Sequence, residues 1–123
     1  MKILLIEPDK ILADIYAYAL VESGHTVSWQ PDAQQAVLTA DKWRPDIVVL
    51  ELQLAAHNGV EFLYEFRSYP EWQDIPVVVL SAVPDVSLSS VLQSQLGVVA
   101  YHYKPRTTLE QLLKTLDGLA ISA

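Results

Sequence analysis

The sequence contains no cysteine, which excludes disulfide bonds, zinc–thiolate sites and a thiol nucleophile. Basic residues are also few, because 8 Lys and Arg stand against 15 Asp and Glu and the formal net charge is -7. Binding to nucleic acid or to an anionic membrane depends on basic patches, so this balance argues against both. The chain has no GxGxxG or Walker A motif, and Ser81 lies outside any GxSxG motif. Nucleotide-binding and hydrolase functions therefore lack their signatures.

Long apolar runs are missing as well. The N-terminal run Ile3 to Ile6 is interrupted by Glu7 and Pro8, and it is too short for a signal-peptide core or a membrane span. With 51% hydrophobic and 19% charged residues, the chain can still bury a substantial core. We expect a single domain over residues 1–123, without a linker or repeat, in a soluble cytoplasmic protein.

The order of the apolar segments predicts five strands that alternate with five helices. Short runs rich in Val, Ile and Leu are typical of strands buried on both faces of a parallel sheet. The predicted strands are Lys2–Glu7, Thr26–Trp29, Ile47–Leu50, Pro76–Leu80 and Val98–Tyr103. This alternation predicts an α/β fold, a three-layer α/β/α sandwich around a five-stranded, parallel, doubly wound sheet of flavodoxin-like order 2-1-3-4-5.

Two of the predicted helices have informative sequences. The helix over residues 86–96 is weak, because its serines compete for backbone hydrogen bonds and lower the helical propensity. The stretch Thr107-Thr108-Leu109-Glu110 predicts a capping box at the start of the fifth helix.

Polar side chains follow four of the predicted strands. Glu7 follows the first strand, Glu51 the third, Ser81 the fourth and Lys104 the fifth. Ligands of such sheets bind beyond the carboxyl ends of the strands, so we expect these two acids, a hydroxyl and a base to converge. Any one of them could simply mark where the core ends. Together they indicate a functional site.

The chain resembles the receiver domain of two-component response regulators, in the CheY-like superfamily. The matching segments are LLIEPD, PDIVVLELQL followed by NGVEFL, PVVVLSA and AYHYKP, and the resemblance runs from Lys2 to about Leu119. Such domains usually carry an acidic pair after the first strand and a phosphate-accepting Asp after the third. A Ser or Thr follows the fourth strand, an aromatic switch residue lies on the fifth, and a Lys precedes a commonly cis proline.

The resemblance implies a role for each residue that matches the pattern. By position these residues are Glu7 and Asp9 in the acidic pocket, Glu51 as phosphoacceptor, Ser81, Tyr101 and Lys104 at the phosphate and switch positions, and Pro105 as the candidate cis-proline. The implied partner is a protein, either a histidine kinase or a downstream effector.

Two departures from the pattern predict an atypical, degenerate variant of such a receiver. Glu51 replaces the acceptor Asp and moves the carboxylate outward by about 1.5 Å, where a displacement near 1 Å can cost roughly a hundredfold in rate. Pro8 stands at the second acidic position and offers no carboxylate to Mg²⁺. We interpret Asp9 as the cap of the first helix rather than a replacement ligand. We therefore expect no metal or cofactor, and no enzymatic activity beyond weak self-phosphorylation and dephosphorylation.

Two interpretations of Glu51 remain open at this point. In the first, Lys104 and Ser81 contact its carboxylate directly without metal, and its charge partly imitates a phosphorylated residue. In the second, Glu51 is a solvated remnant of a decayed site. At the level of function three accounts compete: a phosphorylation-independent interaction module, a working phosphoreceiver with a weak acceptor, and a domain that binds an anion or small ligand through Lys104.

The segment 83–103 contains one charged residue, Asp85, and otherwise consists mainly of Ser, Gln, Val, Leu and aromatic residues. Charge-poor surfaces that bear aromatic residues are typical of interface centres. The alternative is that the segment is largely core strand. Because its helix must have an exposed side, we predict a protein interface here, and a homodimer through residues 83–119 is one form that it can take.

Overall fold

The structure is a computed structural model that describes residues 1–55, 58–84 and 89–122. Strands and helices alternate along the chain as β1 Lys2–Ile6, α1 Lys10–Glu22, β2 Thr26–Gln30, α2 Ala33–Lys42, β3 Ile47–Leu50, α3 Gly59–Ser68, β4 Val77–Ser81, α4 Ser89–Gln95, β5 Val98–Tyr103 and α5 Leu109–Ser122. Short 3₁₀ helices cover Pro70–Trp72 and Lys104–Arg106. All strand pairs are parallel and the order is β2-β1-β3-β4-β5, which confirms the predicted fold.

Both faces of the sheet are buried, which explains why the central strands are apolar without alternation. One face packs against α2, α3 and α4, and the other packs against α1 and α5. In β1, for example, Leu4 and Ile6 point to the first face, whereas Ile3 and Leu5 point to the second. No helix in the described part of the chain combines the length and the apolar character needed to cross a membrane.

Side-chain caps fix the starts of the helices beside the sheet edge. The Asp9 carboxylate accepts hydrogen bonds from the backbone amides of Ile11 and Leu12 at 2.9 and 3.1 Å. Asn58 caps α3 in the same way, with its side-chain oxygen 2.8 Å from the amide nitrogen of Glu61. These caps hold the turns after β1 and β3 in place.

The capping box of α5 is present, but the predicted register is wrong by one residue. The Thr108 hydroxyl accepts from the Gln111 amide at 3.1 Å, and the Thr108 amide donates to the Gln111 side chain at 2.9 Å. The Thr107 hydroxyl instead donates to the carbonyl oxygen of Tyr103 at 2.8 Å. Thr107 is drawn back to the end of β5, so the helix begins one residue later. Of the weak fourth helix, residues 86–88 lie outside the described residues, and α4 itself is short.

Candidate functional site

The topology brings the four predicted strand ends together. β1, β3, β4 and β5 are consecutive neighbours in the sheet, so Glu7, Glu51, Ser81 and Lys104 lie at the carboxyl ends of adjacent strands, at one edge. Glu7 is 2% exposed, Glu51 is 3% exposed and Ser81 is fully buried. Buried carboxylates are costly unless they are paired, so their partners define the site.

Lys104 is the shared partner of both carboxylates. Its ammonium nitrogen lies 2.6 Å from Oε1 of Glu7 and 2.7 Å from Oε1 of Glu51. The Lys104 side chain is only 12% exposed. Burial lowers the pKa of Lys104, but the hydrogen bonds and charges of Glu51 and Glu7 outweigh burial, and the net shift is upward. The ammonium is therefore held protonated between two acids.

Glu51 accepts three further hydrogen bonds. The Ser81 hydroxyl and the backbone amide of Gln53 donate to Oε2, the latter at 3.1 Å, and the backbone amide of Ala82 donates to Oε1 at 3.1 Å. Burial raises the pKa of the Glu51 carboxyl, but the hydrogen bonds from Lys104, Ser81 and the two amides prevail, and the pKa is lowered. The predicted contacts of Lys104 and Ser81 with Glu51 are present, and the interpretation of Glu51 as a solvated remnant is wrong.

Asp9 is confirmed as a helix cap, whereas its predicted place in the acidic pocket stays a prediction. Its Oδ1 atom is directed at the first turn of α1, because the free amides there are the nearer donors. Asp9 reaches the site through its backbone instead, since its amide donates to Oε2 of Glu7 at 3.0 Å. The carbonyl oxygen of Glu7 accepts from the Trp29 indole at 2.7 Å. Glu7 is thus fixed from both sides.

The proline after Lys104 differs from the expectation drawn from the family. The structure contains no cis peptide bond among the described residues, so the Lys104–Pro105 bond is trans and the cis prediction for Pro105 is wrong here. Pro105 lies inside the 3₁₀ turn Lys104–Arg106, near its start. A fixed negative φ and a missing amide donor are compatible with that position in a trans chain.

Tyr101, at the predicted switch position, is connected to the site through the β4–α4 loop. Its hydroxyl donates to the carbonyl oxygen of Val83 at 2.6 Å. The amide of Val83 donates to the Ser81 hydroxyl oxygen at 3.0 Å, and Ser81 in turn donates to Glu51. A continuous line of hydrogen bonds therefore joins Glu51 to an aromatic residue of β5.

Sequence reasoning missed the backbone donors of the site and the glycine that shapes it. The amides of Gln53 and Ala82 have no side-chain signature that a sequence could show. Gly59 does have a signature, which is the glycine itself. Any other residue would place a Cβ 2.6 Å from the Cα of Leu52. Because Gly59 has no side chain, its amide can approach to 2.7 Å from the carbonyl oxygen of Leu52, which closes the loop after Glu51.

The sequence model of the family described as response regulator receiver domain matches residues 3–117. The chain therefore belongs to that family.

Solved structures share its fold. The chemotaxis protein CheY4 of Vibrio cholerae is 22% identical, with a TM-score of 0.86 over 95% of this chain and 96% of that one. A sensor protein from Polaromonas is 22% identical, with a TM-score of 0.87 over 95% and 93%. The receiver domain of a histidine kinase from Syntrophus aciditrophicus is 20% identical, with a TM-score of 0.86 over 99% and 91%. At these identities the likeness establishes the fold alone.

The site does not fit the Mg²⁺ ion that the family resemblance implies. Mg²⁺ requires near-octahedral oxygen ligands. Pro8 supplies no side-chain oxygen, and the described residues contain no group of three or more His, Asp or Glu side chains placed to hold a metal. The Oε1 atoms of Glu7 and Glu51 both contact the Lys104 ammonium. A fixed positive charge thus lies between the two carboxylates.

Proposed function

We propose that this receiver domain acts in two-component signalling without being phosphorylated, through protein–protein contact. Glu51 is a permanent, partial substitute for a phosphorylated acceptor. The observation that carries the proposal is the complete engagement of its buried carboxylate by Lys104, Ser81 and two backbone amides. A Glu side chain supplies about one negative charge at this place, against roughly -1.5 to -2 for a phosphorylated residue.

The geometry around Glu51 also disfavours its phosphorylation. Phosphoryl transfer needs an in-line approach to a carboxylate oxygen and a cation that bridges the acceptor and the phosphoryl group. Each Glu51 oxygen already accepts two hydrogen bonds, so an attack would have to displace donors from a nearly inaccessible group. The bridging Mg²⁺ lacks its ligands. We accordingly propose that the domain is not an enzyme, and that self-phosphorylation and dephosphorylation are at most too weak to leave an adduct that intact mass detects.

The output surface is proposed to lie on α4, β5 and α5, within residues 83–119. Exposed apolar side chains occur on all three elements, at Val91, Val99 and Leu109. Helix α4 has the sequence SSVLQSQ, without a charge, and Asp85 lies outside the described residues. The hydrogen-bonded line from Glu51 to Tyr101 ends on this side of the sheet. Family members interact with kinases or effectors, and a second copy of the chain is an alternative partner for the same surface.

The anion-binding alternative receives less support from the site. The Lys104 ammonium is already flanked by two carboxylates, which leaves the cluster of Lys104, Glu7 and Glu51 with an excess of negative charge. An anion that entered the crevice would meet that charge at short range, where like charges repel.

Incubation with acetyl phosphate and Mg²⁺, followed by intact mass measurement, tests the proposal. We expect the wild-type chain to keep its mass. The double variant Pro8→Asp, Glu51→Asp restores the family's acidic pair and acceptor, so we expect it to gain a phosphoryl group. The single variant Glu51→Asp is the intermediate control.

A phosphoryl adduct on the wild-type chain would overturn the proposal. A folded double variant that stays unmodified would show that these two positions do not account for the difference from the family.

A further inference from the structure

A second surface lies away from the strand ends, in the groove between α2 and α3. The groove consists of two adjoining cavities of about 430 and 260 Å³, and Val37 and Leu38 line both of them. Leu38 is 50% exposed, Tyr69 borders the second cavity and Trp72 forms part of its wall. The Tyr69 and Trp72 rings are in contact, with centroids 4.6 Å apart. The smaller cavity is therefore mainly apolar and partly aromatic, whereas Gln34 and Glu65 give the larger one a mixed lining.

The composition of α2 points to a purpose for this groove. The residues that α2 buries against the sheet are all alanine, at positions 33, 36 and 40. Its two large apolar residues both border the groove, where Val37 is half-buried against the core and Leu38 is exposed. A single exposed Leu needs no explanation. Exposed apolar side chains that adjoin aromatic rings and are rimmed by polar residues are typical of interaction sites.

The charged residues that line the groove are of one sign. Glu65 borders the larger cavity and Asp41 the smaller one, and among the described residues neither lining contains a Lys or Arg. A complementary partner must therefore bring positive charges beside its apolar side chains.

The dimensions suit a short helix. Along α2 the groove runs from Ala33 to Asp41, which corresponds to about 12 Å, or just over two helical turns. Helices that bind in grooves use apolar side chains at positions i, i+3 or i+4, and i+7, which cover this length. We propose that the α2–α3 groove binds a basic amphipathic helix of a partner protein. This binding is independent of Glu51 and of the output surface proposed above.

Fluorescence anisotropy with a synthetic helical probe tests the inference. The probe is a labelled peptide of about three turns, with Leu on one face and Lys on both flanks. The test variant is Leu38→Lys. The control is Val21→Lys on α1, which lies on the opposite face of the sheet, is similarly exposed at 54% and adds the same charge.

We expect the wild type and Val21→Lys to bind the probe within about twofold of each other, and Leu38→Lys to bind at least about tenfold more weakly, as at an interface centre. A probe with Glu in place of Lys should bind as weakly as the Leu38→Lys variant does. Absence of binding by the wild type would overturn the inference. Equal losses in both variants, or equal binding of a scrambled peptide of the same composition, would overturn it too, since they would indicate non-specific attraction.

Discussion

Replacing Glu51 with Gln tests how the buried carboxylate is held. The substitution keeps the length and shape of the side chain and removes its charge. Four donors converge on the carboxylate, and an amide can serve only those that face its oxygen. The least costly orientation leaves the oxygen with Lys104 and Ala82. The amide nitrogen then faces the Ser81 hydroxyl, which can turn to accept, and the backbone amide of Gln53, which cannot.

The magnitude follows from that one unmatched donor. A donor without an acceptor costs about 1–3 kcal/mol when it is buried, and the hydrogen bond from the Gln53 amide is partly buried. Lys104 keeps Glu7 as its counterion at 2.6 Å, so the larger cost of an unpaired buried ammonium does not arise. We therefore expect Glu51→Gln to lower the free energy of unfolding by about 1–3 kcal/mol at neutral pH.

The stability difference between the wild type and Glu51→Gln should also depend on pH. The pKa of Glu51 is lowered in the folded state, so ionisation of Glu51 stabilises the fold. That stabilisation is complete above the unfolded pKa of about 4.3 and is lost as the pH falls through the folded value. The difference in stability between the wild type and Glu51→Gln should accordingly be constant near neutrality and should shrink in acid.

Urea unfolding followed by far-UV circular dichroism measures both effects. A loss of about 2 kcal/mol corresponds to a midpoint shift of roughly 1 M urea for a domain of this size. Glu22→Gln, at an exposed position in α1, serves as the control and should shift little. A Glu51→Gln variant as stable as the wild type at neutral pH, or a difference that grows in acid, would refute the reasoning.

Two further substitutions test the supports of the fold by the same urea assay. Asp9→Ala removes the cap of α1 and should cost about 1 kcal/mol, while an unchanged midpoint would mean that its two hydrogen bonds contribute nothing. Arg67→Lys should lower the free energy of unfolding by about 2–3 kcal/mol. The Arg67 guanidinium donates to four carbonyl oxygens, which a single ammonium cannot reach together. They belong to Trp72, Gln73, Leu96 and Gly97. Arg44→Lys, with a single exposed bond to the Glu71 carbonyl, is its control, and equal effects of the two would contradict this account.

The fold and the positions of the site residues were predictable because each depends on short stretches of sequence. Apolar runs of four to six residues between helical segments allow only a parallel sheet covered on both faces. Glu7, Glu51, Ser81 and Lys104 each follow such a run, so their common edge follows from the topology. The role of Asp9 as a cap was predictable for the same reason, since the amides that it serves lie within three residues of it.

The predictions that were wrong depended on competition between local alternatives. Thr107 and Thr108 can both cap α5, and the carbonyl of Tyr103 decides the choice by taking the Thr107 hydroxyl. The sequence permits either isomer of the Lys104–Pro105 peptide bond. In the structure the bond is trans, and the turn Lys104–Arg106 accommodates that isomer.

The order of the polar residues at the strand ends is visible in the amino-acid sequence, and so are the missing acid at Pro8 and the longer acid at Glu51. Whether that longer acid reaches into solvent or turns inward depends on the groups that the fold places around it. It turns inward because Lys104, Ser81 and the amides of Gln53 and Ala82 all point to one place, and their combined hydrogen bonds outweigh the cost of burying the charge. Two of those four donors are backbone amides. Every sequence contains such groups, and only the folded structure orients them toward Glu51.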